Sequence, residues 1–362
     1  MIKYFYICIA IIISGCGGGE TNIAPGTNNS QSLASQFDNV SNDAAQKILP
    51  SSSDSISMAD FWTRQVTLGF SVTRSVVGYY DGPTKNISNA ISTDPATNTT
   101  DSTFITVLDP GHGAYDGDFV TISGAAGTIN GISAVVINNK FPITYINNNT
   151  YKISVTGQAA VKSTPSTNLN FVYKFKECTG SQLVTQTKAA GTTPKTYFDF
   201  LESLVSIYEV KTNLVGCSPS STDFKTTKYF AKDNPRPGSS LVYPLLGQRV
   251  EGGDFSTFNR TFDLPSAPIK SGDKGDIGTL MSYVGSSSGA YTGKSKLSYI
   301  ILKNTATSLF IVINSENYDS NNFLLSTQTD VYAKDTPASA DYGLVKTTVK
   351  YTNDRKNEVV IQ

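Results

Sequence analysis

One short segment concentrates the side chains that could do chemistry. His112 is the single histidine of the 362 residues, and it lies beside Asp109, Asp116 and Asp118 in the run DPGHGAYDGD. A Ser-His-Asp triad or a general base would use this histidine, and carboxylates on a turn can hold calcium through their oxygens. Glycines flank the histidine, which favours a structural hydrogen bond in a turn. The aspartate spacing matches no calcium loop, and Asp is an ordinary turn former. We therefore predict no catalytic residue and no metal site, with the three aspartates as the candidates if calcium binds.

The charge balance argues against a nucleic-acid partner. Lys and Arg number 29, Asp and Glu number 29, and the formal net charge is zero. No surplus of basic residues is available to neutralise phosphates. A glycine-rich phosphate loop leading into a helix is also missing from the sequence, so we predict no nucleotide or other cofactor.

Sugar chemistry is a possibility that the sequence leaves open. Glycoside cleavage needs two carboxylates about 5–10 Å apart, and nothing places Glu202 and Glu209, the acidic pair of one apolar stretch, in that arrangement. Several tyrosines could stack on sugar rings, although among 19 tyrosines the usual role is to fill strands. These candidate tyrosines are Tyr79, Tyr80, Tyr243, Tyr291 and Tyr299.

The start of the chain has the three-part layout of a secretion signal. Lys3 precedes the apolar stretch 4–13, and the run ISGC at 13–16 ends in Cys16. In this motif the chain resembles bacterial envelope lipoproteins. The resemblance implies that residues 1–15 are removed and that Cys16 is acylated, with palmitate among the acyl chains, anchoring the protein in a membrane. Gly17, where an aspartate would favour retention, implies sorting to the outer membrane.

Two alternatives to the lipoprotein signal are less consistent with these residues. A transmembrane helix needs ~20 apolar residues, whereas the run here has about ten. An ordinary secretion signal would make Cys16 incidental, but the glycines at 17–19 suit a tether that leaves a membrane surface.

The remaining cysteines predict a disulfide bond. Cys8 lies in the signal and Cys16 takes the lipid, which leaves Cys178 and Cys217 as an even pair in an oxidising compartment. A bond between them would close a loop of about 40 residues and contribute ~3–4 kcal/mol. Two separate buried thiols are the alternative.

Residues 16–57 are predicted to form a tether. The segment 17–30 has no apolar periodicity and is typical of a flexible linker. The segment 31–49 carries one helical face between Ser30, a possible cap, and Pro50, so a short helix or a partly ordered linker fits it. The residues of that face are Leu33, Phe37, Val40, Ala44 and Ile48.

From Phe61 onward the pattern is that of an all-β protein. Short runs rich in aromatic and β-branched residues alternate with clusters of Gly, Asn, Asp and Pro, and a turn is predicted over 271–278. We expect a β-sandwich or roll over 58–100 and 161–362, with an inserted module at 101–160. The predicted strands are 67–77, 103–108, 119–123, 132–137, 151–155, 170–175, 204–211, 225–230, 296–302, 308–314, 323–329, 342–351 and 358–361.

The inserted module has a sequence of turns that a known module shares. His112-Gly113, Gly117-Asp118 and Asn130-Gly131 mark successive tight turns between strands. In these turns the segment resembles the small β-barrel module named after the first catalytic-cysteine half-domain of ubiquitin-activating enzymes, which also occurs in phage structural proteins. The resemblance implies a structural or adhesive unit that carries no catalytic residue. Its expected core is Val107, Val120, Ile122, Val136 and Ile153.

These observations predict a non-enzymatic envelope protein. The second half of the chain is similar to uncharacterised bacterial envelope lipoproteins, in motifs such as FDLP at 262–265, and the similarity adds only fold class and compartment. The predicted role is binding, adhesive or structural, with the membrane as a partner through the lipid and a glycan or protein as the possible ligand. A carbohydrate-binding or glycan-cleaving surface protein is the alternative, and a phage-derived protein that masks the host surface is a third interpretation.

Overall fold

The computed structural model describes most of the chain from residue 55 onward. The signal, the predicted helix at 31–49 and nearly all of the tether lie outside the described residues. The described ranges are 55–67, 69–92, 104–129, 132–155, 168–188, 190–191, 196–197, 200–216, 221–231, 243–258, 262–285, 289–303, 309–334, 342–352 and 357–362.

The protein is all-β, as the sequence predicts. In the described ranges the helices are α1 (Met58–Thr67) and α2 (Ala134–Ile137). The strands are β1 (Phe70–Ser88), β2 (Ile91–Ser92), β3 (Phe104–Leu108), β4 (Phe119–Ser123), β5 (Thr128–Ile129), β6 (Ile132–Ser133), β7 (Lys140–Pro142), β8 (Thr144–Asn147), β9 (Thr150–Ser154), β10 (Asn168–Gln186), β11 (Ala190–Gly191), β12 (Thr196–Tyr197), β13 (Phe200–Val215), β14 (Ser221–Ala231), β15 (Leu245–Val250), β16 (Asp254–Phe258), β17 (Lys274–Val284), β18 (Tyr291–Lys303), β19 (Leu309–Asp319), β20 (Leu324–Lys334), β21 (Tyr342–Tyr351) and β22 (Glu358–Ile361). No helix among them has the length and apolar content needed to cross a membrane.

The described residues form two compact units. Unit 1 contains 55–78 and 178–362, and unit 2 contains 79–177, so β1 and β10 contribute residues to both. In unit 1 the strands β13 to β22 pair in chain order, β22 pairs with β1, and β1 pairs with β10. β10 then pairs with β13, from Thr179↔Val215 to Gln186↔Tyr208. The twelve strands of this circuit therefore form one sheet closed on itself, which we call the closed sheet.

Alternation along each strand separates the inside of the closed sheet from the outside. In β18, Leu297, Tyr299 and Ile301 are buried, whereas Ser298 and Ile300 between them are half-buried and Lys296 before them is exposed. Side chains two residues apart share a face of a strand. The same period therefore places apolar side chains of successive strands in one interior core.

Helix α1 packs its apolar face into that core. Met58, Phe61, Trp62 and Val66 recur at helical spacing, are buried, and belong to the core cluster of unit 1. Ser57 precedes the helix, and its Oγ accepts a hydrogen bond from the N–H of Asp60 at 3.2 Å. The sequence-based expectation of β structure from Phe61 is wrong here, because a ten-residue helix fills this position instead.

Another part of the closed sheet has a polar interior. Lys228, Gln248, Ser256 and Ser282 are register partners across β14 to β17, and the hydroxyls of Ser256 and Ser282 lie 3.0 Å apart. No strand is predicted over 231–295, yet β15, β16 and β17 lie there. Some of their inward positions hold polar side chains, such as Gln248 and Ser256, which hides the apolar alternation that predicts a strand. The turn predicted over 271–278 is also too long, because β17 begins at Lys274.

Unit 2 has its own core. β2, β3, β9 and β8 form a four-stranded sheet, β4 pairs with β10 and β7, and β5 pairs with β6. Of the five expected core residues, Val107, Val120, Ile122 and Ile153 are buried in one cluster, and Val136 packs against it half-buried. Val136 lies in α2, so the strand predicted over 132–137 is correct only at Ile132–Ser133.

The same core uses residues on both sides of 101–160. Ala90 and Ile91 belong to it, as do Leu169, Phe171 and Tyr173 of β10. The compact unit at 79–177 is therefore longer than the predicted module. Whether the module folds independently stays a prediction.

Candidate functional site

The loop between β3 and β4 holds the histidine and the three aspartates. His112 is buried, with 2% of its surface exposed. Its Nδ1 accepts a hydrogen bond from the N–H of Ala114 at 3.0 Å, and its Nε2 lies 2.8 Å from the carbonyl oxygen of Asn147. Since Nδ1 accepts, the ring is neutral and Nε2 donates to that carbonyl. The Nδ1 bond thus holds the loop on itself, and the Nε2 bond ties the loop to the hairpin of β8 and β9.

Asp109 lies at the centre of a buried network. Its carboxylate accepts hydrogen bonds from the Lys85 ammonium at 2.9 Å and from the Tyr173 hydroxyl at 2.5 Å. The hydroxyls of Tyr173 and Tyr151 lie 2.9 Å apart. Burial raises the pKa of both tyrosines, and the nearby Asp109 charge adds to the effect. Lys85 neutralises the carboxylate, so this network fixes the loop on the core of unit 2.

Asp116 and Asp118 bind backbone amides. Asp118 accepts from the N–H of Tyr115 at 2.7 Å and from the N–H of Lys176 at 2.6 Å. Asp116 accepts from the N–H of Tyr145 at 2.7 Å. The described part of the chain contains no group of three or more His, Cys, Asp or Glu side chains placed to hold a metal ion.

These contacts support a pair of aromatic rings, of which Tyr145 is half-buried and Tyr115 exposed. Tyr115 is 62% exposed, and its ring centroid lies 5.3 Å from that of Tyr145, with 30° between the ring planes. The Tyr145 hydroxyl donates to Oδ1 of Asn148 at 2.9 Å. We call the two segments that carry these rings, 113–117 and 145–149, the aromatic turn.

The local sequence explains why the aromatic turn has this shape. Gly113 and Gly117 flank Tyr115 and Asp116, with φ of +71° and +91°, a conformation that other residues adopt only with strain. The loop is also bonded to the hairpin, since the N–H of Gly111 donates to the carbonyl of Asn148 at 2.9 Å. The rings are therefore mounted on a framework that is hydrogen-bonded on both sides.

None of the tyrosines that the sequence offers as candidates for stacking on sugar rings lies in the aromatic turn. Tyr299 is buried in the core of unit 1, while Tyr79 and Tyr80 pack edge-on against Phe119 and Phe175. The sequence does indicate that Tyr115 is exposed, through the run GAYDG. A large aromatic residue between two turn glycines does not belong to a strand that could bury it. Its partner Tyr145 lies 30 residues away, and the sequence gives no sign of the pairing.

A second cluster, the interior polar cluster, lies inside the closed sheet of unit 1. Lys228 is 1% exposed, and its Nζ lies 3.9 Å from the centroid of the Tyr208 ring. Asp330 accepts hydrogen bonds from Gln328 at 2.8 Å and from Thr347 at 2.6 Å. Burial lowers the pKa of Lys228 to about 7, and the charge of Asp330 opposes that effect. Burial likewise raises the pKa of Asp330 to about 6.

The interior polar cluster gives no signal in the sequence. Lys228 occurs in the run TKYF and Asp330 in the run TDVY, where each would be taken for an outward-facing charge on an alternating strand. Only the closing of the sheet places both side chains inside. Such a cluster is a candidate for function as well as for structure.

Of the cysteines with predicted roles, one lies within the described residues. Cys178 is 4% exposed and disulfide-bonded. Cys16 and Cys217 lie outside the described residues. The register pairs Thr179, the residue after Cys178, with Val215. Val215 is the last residue of β13 and lies two residues before Cys217 in the sequence. The pairing of Cys178 with Cys217 and the lipid on Cys16 stay predictions.

Comparison with known proteins identifies no family for this chain. No protein-family model and no curated protein matches it. Among solved structures, the chain is similar to the phage phi92 endosialidase at a TM-score of 0.20 and 10% identity. The match covers 77% of this chain and 51% of that one, so the chain spans about half the length of the endosialidase chain. A likeness at this TM-score carries no argument about fold or function.

Proposed function

We propose that the chain is a lipid-anchored protein of the bacterial outer membrane whose role is to bind a ligand through the aromatic turn. The observation that carries the binding role is the Tyr115–Tyr145 pair, in which Tyr115 is exposed and Tyr145 half-buried, and which hydrogen bonds to Asp118, Asp116 and Asn148 hold in place. Exposed aromatic rings of this kind are typical of binding surfaces. A surface that is already ordered loses little conformational entropy on binding.

The carboxylates of the loop favour binding over catalysis. Asp109 is neutralised by Lys85, and Asp118 is occupied by two backbone amides. Asp116 is the remaining acidic side chain of the loop and is exposed. Glycoside cleavage would need a second carboxylate beside it, about 5–10 Å away.

The membrane anchor is supported by the run ISGC that ends at Cys16. We expect the protein to fractionate with outer membranes and to carry acyl chains on Cys16. The Cys16→Ala variant should appear as an uncut precursor or in the soluble fraction, whereas Cys178→Ala should keep the anchor. Unchanged membrane association of Cys16→Ala, with no lipid found by mass spectrometry, would contradict the anchor.

The binding role is tested on the full mature chain in detergent. The chain is screened against immobilised glycans, proteins and lipids, and each ligand found is titrated against wild type, Tyr115→Ala and Tyr291→Ala. Tyr291 belongs to another tyrosine pair, with Tyr283 at 6.0 Å in unit 1, and serves as the matched control. We expect Tyr115→Ala alone to weaken binding about tenfold. An unchanged affinity in Tyr115→Ala, or release of cleavage products from a bound glycan, would contradict the proposal.

A further inference from the structure

We infer that the ligand of the aromatic turn is a neutral, hydroxyl-rich glycan. This inference rests on the proposed function, because it assigns a chemical class to the ligand of the same surface.

The first argument is the chemistry of the rings. The face of a tyrosine ring carries negative charge density, and the C–H bonds on one side of a sugar ring present slightly positive hydrogens to such a face. Tyr115 and Tyr145, inclined at 30° with centroids 5.3 Å apart, offer two adjoining rings for this contact. The Tyr145 hydroxyl is already bonded to Asn148, which holds the second ring in place.

The second argument is the set of polar groups around the rings. Asn147, Asn148, Asn149 and Asp116 are all exposed in the aromatic turn. Amides both donate and accept hydrogen bonds, and a carboxylate accepts two or more. Closely spaced hydrogen-bond donors and acceptors on short side chains match a molecule whose surface is covered with hydroxyl groups.

The third argument is the local charge. The two segments of the aromatic turn contain one charged residue, Asp116. The ammonium of Lys176 lies close by, 2.9 Å from the position that a Cβ atom on Gly117 would take. Lys85, also near, is occupied by Asp109. The carboxylate of Asp116 and the ammonium of Lys176 balance, so the part of this surface that the structure describes has no surplus positive charge for a sialic acid, uronic acid or sulfate group.

The experiment compares neutral oligosaccharides with acidic counterparts that share the same backbone. Binding to the full mature chain is measured at salt concentrations from roughly 50 to 500 mM, where exposed charge pairs are progressively screened. We expect at least tenfold tighter binding of the neutral form, little change with salt, and about a tenfold loss in Tyr115→Ala. Tyr291→Ala should bind as wild type does, and a thermal melt of each variant checks folding.

The Asp116→Asn variant separates the two glycan classes. It keeps the acceptor for the Tyr145 N–H but loses the negative charge, so binding of a neutral glycan should weaken and binding of an acidic glycan should strengthen. Tighter binding of the acidic form, a steep salt dependence, or no binding of any glycan by wild type would overturn the inference. If Tyr115→Ala instead abolishes binding of an acidic glycan or a protein, the inference fails and the proposed function stands. If no binding depends on Tyr115, both fail.

Discussion

The ammonium of Lys228 lies 3.9 Å from the centroid of the Tyr208 ring, inside the closed sheet of unit 1. A buried cation is costly unless it is paired. The ring face and the charge of Asp330 compensate Lys228, while Gln328, Thr347 and the charge of Arg74 stabilise the carboxylate. The polar interior of this sheet therefore depends on a pair of ionisable groups that titrate close to neutral pH.

The first prediction concerns pH and stability. Burial lowers the pKa of Lys228 from 10.5 to about 7, so between these values the unfolded chain binds more protons and stability rises with pH. Burial raises the pKa of Asp330 from 3.8 to about 6, so in that window the folded chain binds more protons and stability falls as pH rises. The pair should contribute least to stability between pH 6 and 7.

Urea unfolding of three proteins at acidic, near-neutral and alkaline pH checks this prediction. Asp330→Asn removes the negative charge that compensates Lys228 and should cost about 3–5 kcal/mol near neutral pH. The double variant Lys228→Met/Asp330→Asn removes both charges and should be closer to wild type, with a flatter pH profile. Parallel pH profiles for wild type and the double variant would show that the pair does not titrate in these windows.

The second prediction concerns helix α1. The Trp62 ring centroid lies 4.3 Å from that of Phe262, and its Nε1 donates to the carbonyl of Tyr243 at 2.9 Å. Trp62→Ala should lower the free energy of unfolding by about 3–5 kcal/mol. Trp62→Phe, which keeps most of the packing and loses the hydrogen bond, should cost less. Arg64→Ala, on the exposed side of the same helix, should stay within about 0.5 kcal/mol. An equal loss in this control would mean that the loss in Trp62→Ala does not come from burial of the Trp62 ring.

Some strands could be predicted from the sequence and others could not, for a physical reason. The bounds of β21 and β22 equal the predicted 342–351 and 358–361, because their aromatic and β-branched residues give a strong β signal. β15 and β16 have Gln248 and Ser256 at inward positions, so their outer and inner faces are hard to tell apart in sequence. Helix α1 was hidden because its aromatic residues Phe61 and Trp62 also suit strands.

The candidate site was predictable in part. The turns around His112 follow from the glycines, and the structural use of the three aspartates follows from their turn chemistry. The contact of Tyr115 with Tyr145 joins the loop between β3 and β4 to the hairpin of β8 and β9, and local sequence patterns do not determine such contacts. Lys228 was unpredictable for a similar reason, since its burial depends on the closure of twelve strands.

The third prediction concerns the independence of the two units. The buried clusters of the described residues fall either within 79–177 or outside it, and β1 and β10 are hydrogen-bonded neighbours. Replacing 79–177 with a short Asn-Gly turn should therefore leave unit 1 folded, with a cooperative thermal transition. If the full-length chain melts cooperatively and the deletion variant does not, unit 2 is part of the main core.

The fourth prediction concerns the disulfide bond. Peptide mapping without reduction should recover Cys178 linked to Cys217. Cys217→Ser should lower the free energy of unfolding by ~3–4 kcal/mol under oxidising conditions, and reduced wild type should show the same loss. Cys8→Ser is the control, because residues 1–15 are predicted to be removed. A free thiol at Cys217 in the folded oxidised protein would refute the pairing.

The most direct test of the aromatic turn as the binding surface is a footprint of its tyrosines. The full mature chain is labelled with hydroxyl radicals, with and without the neutral oligosaccharide that binds best in the titrations, and modification of each tyrosine is quantified by mass spectrometry. The structure predicts protection of Tyr115 and Tyr145 in the bound state, with Tyr283 and Tyr291 unchanged. Saturated binding with no protection at Tyr115, or with protection confined to unit 1, would contradict the account.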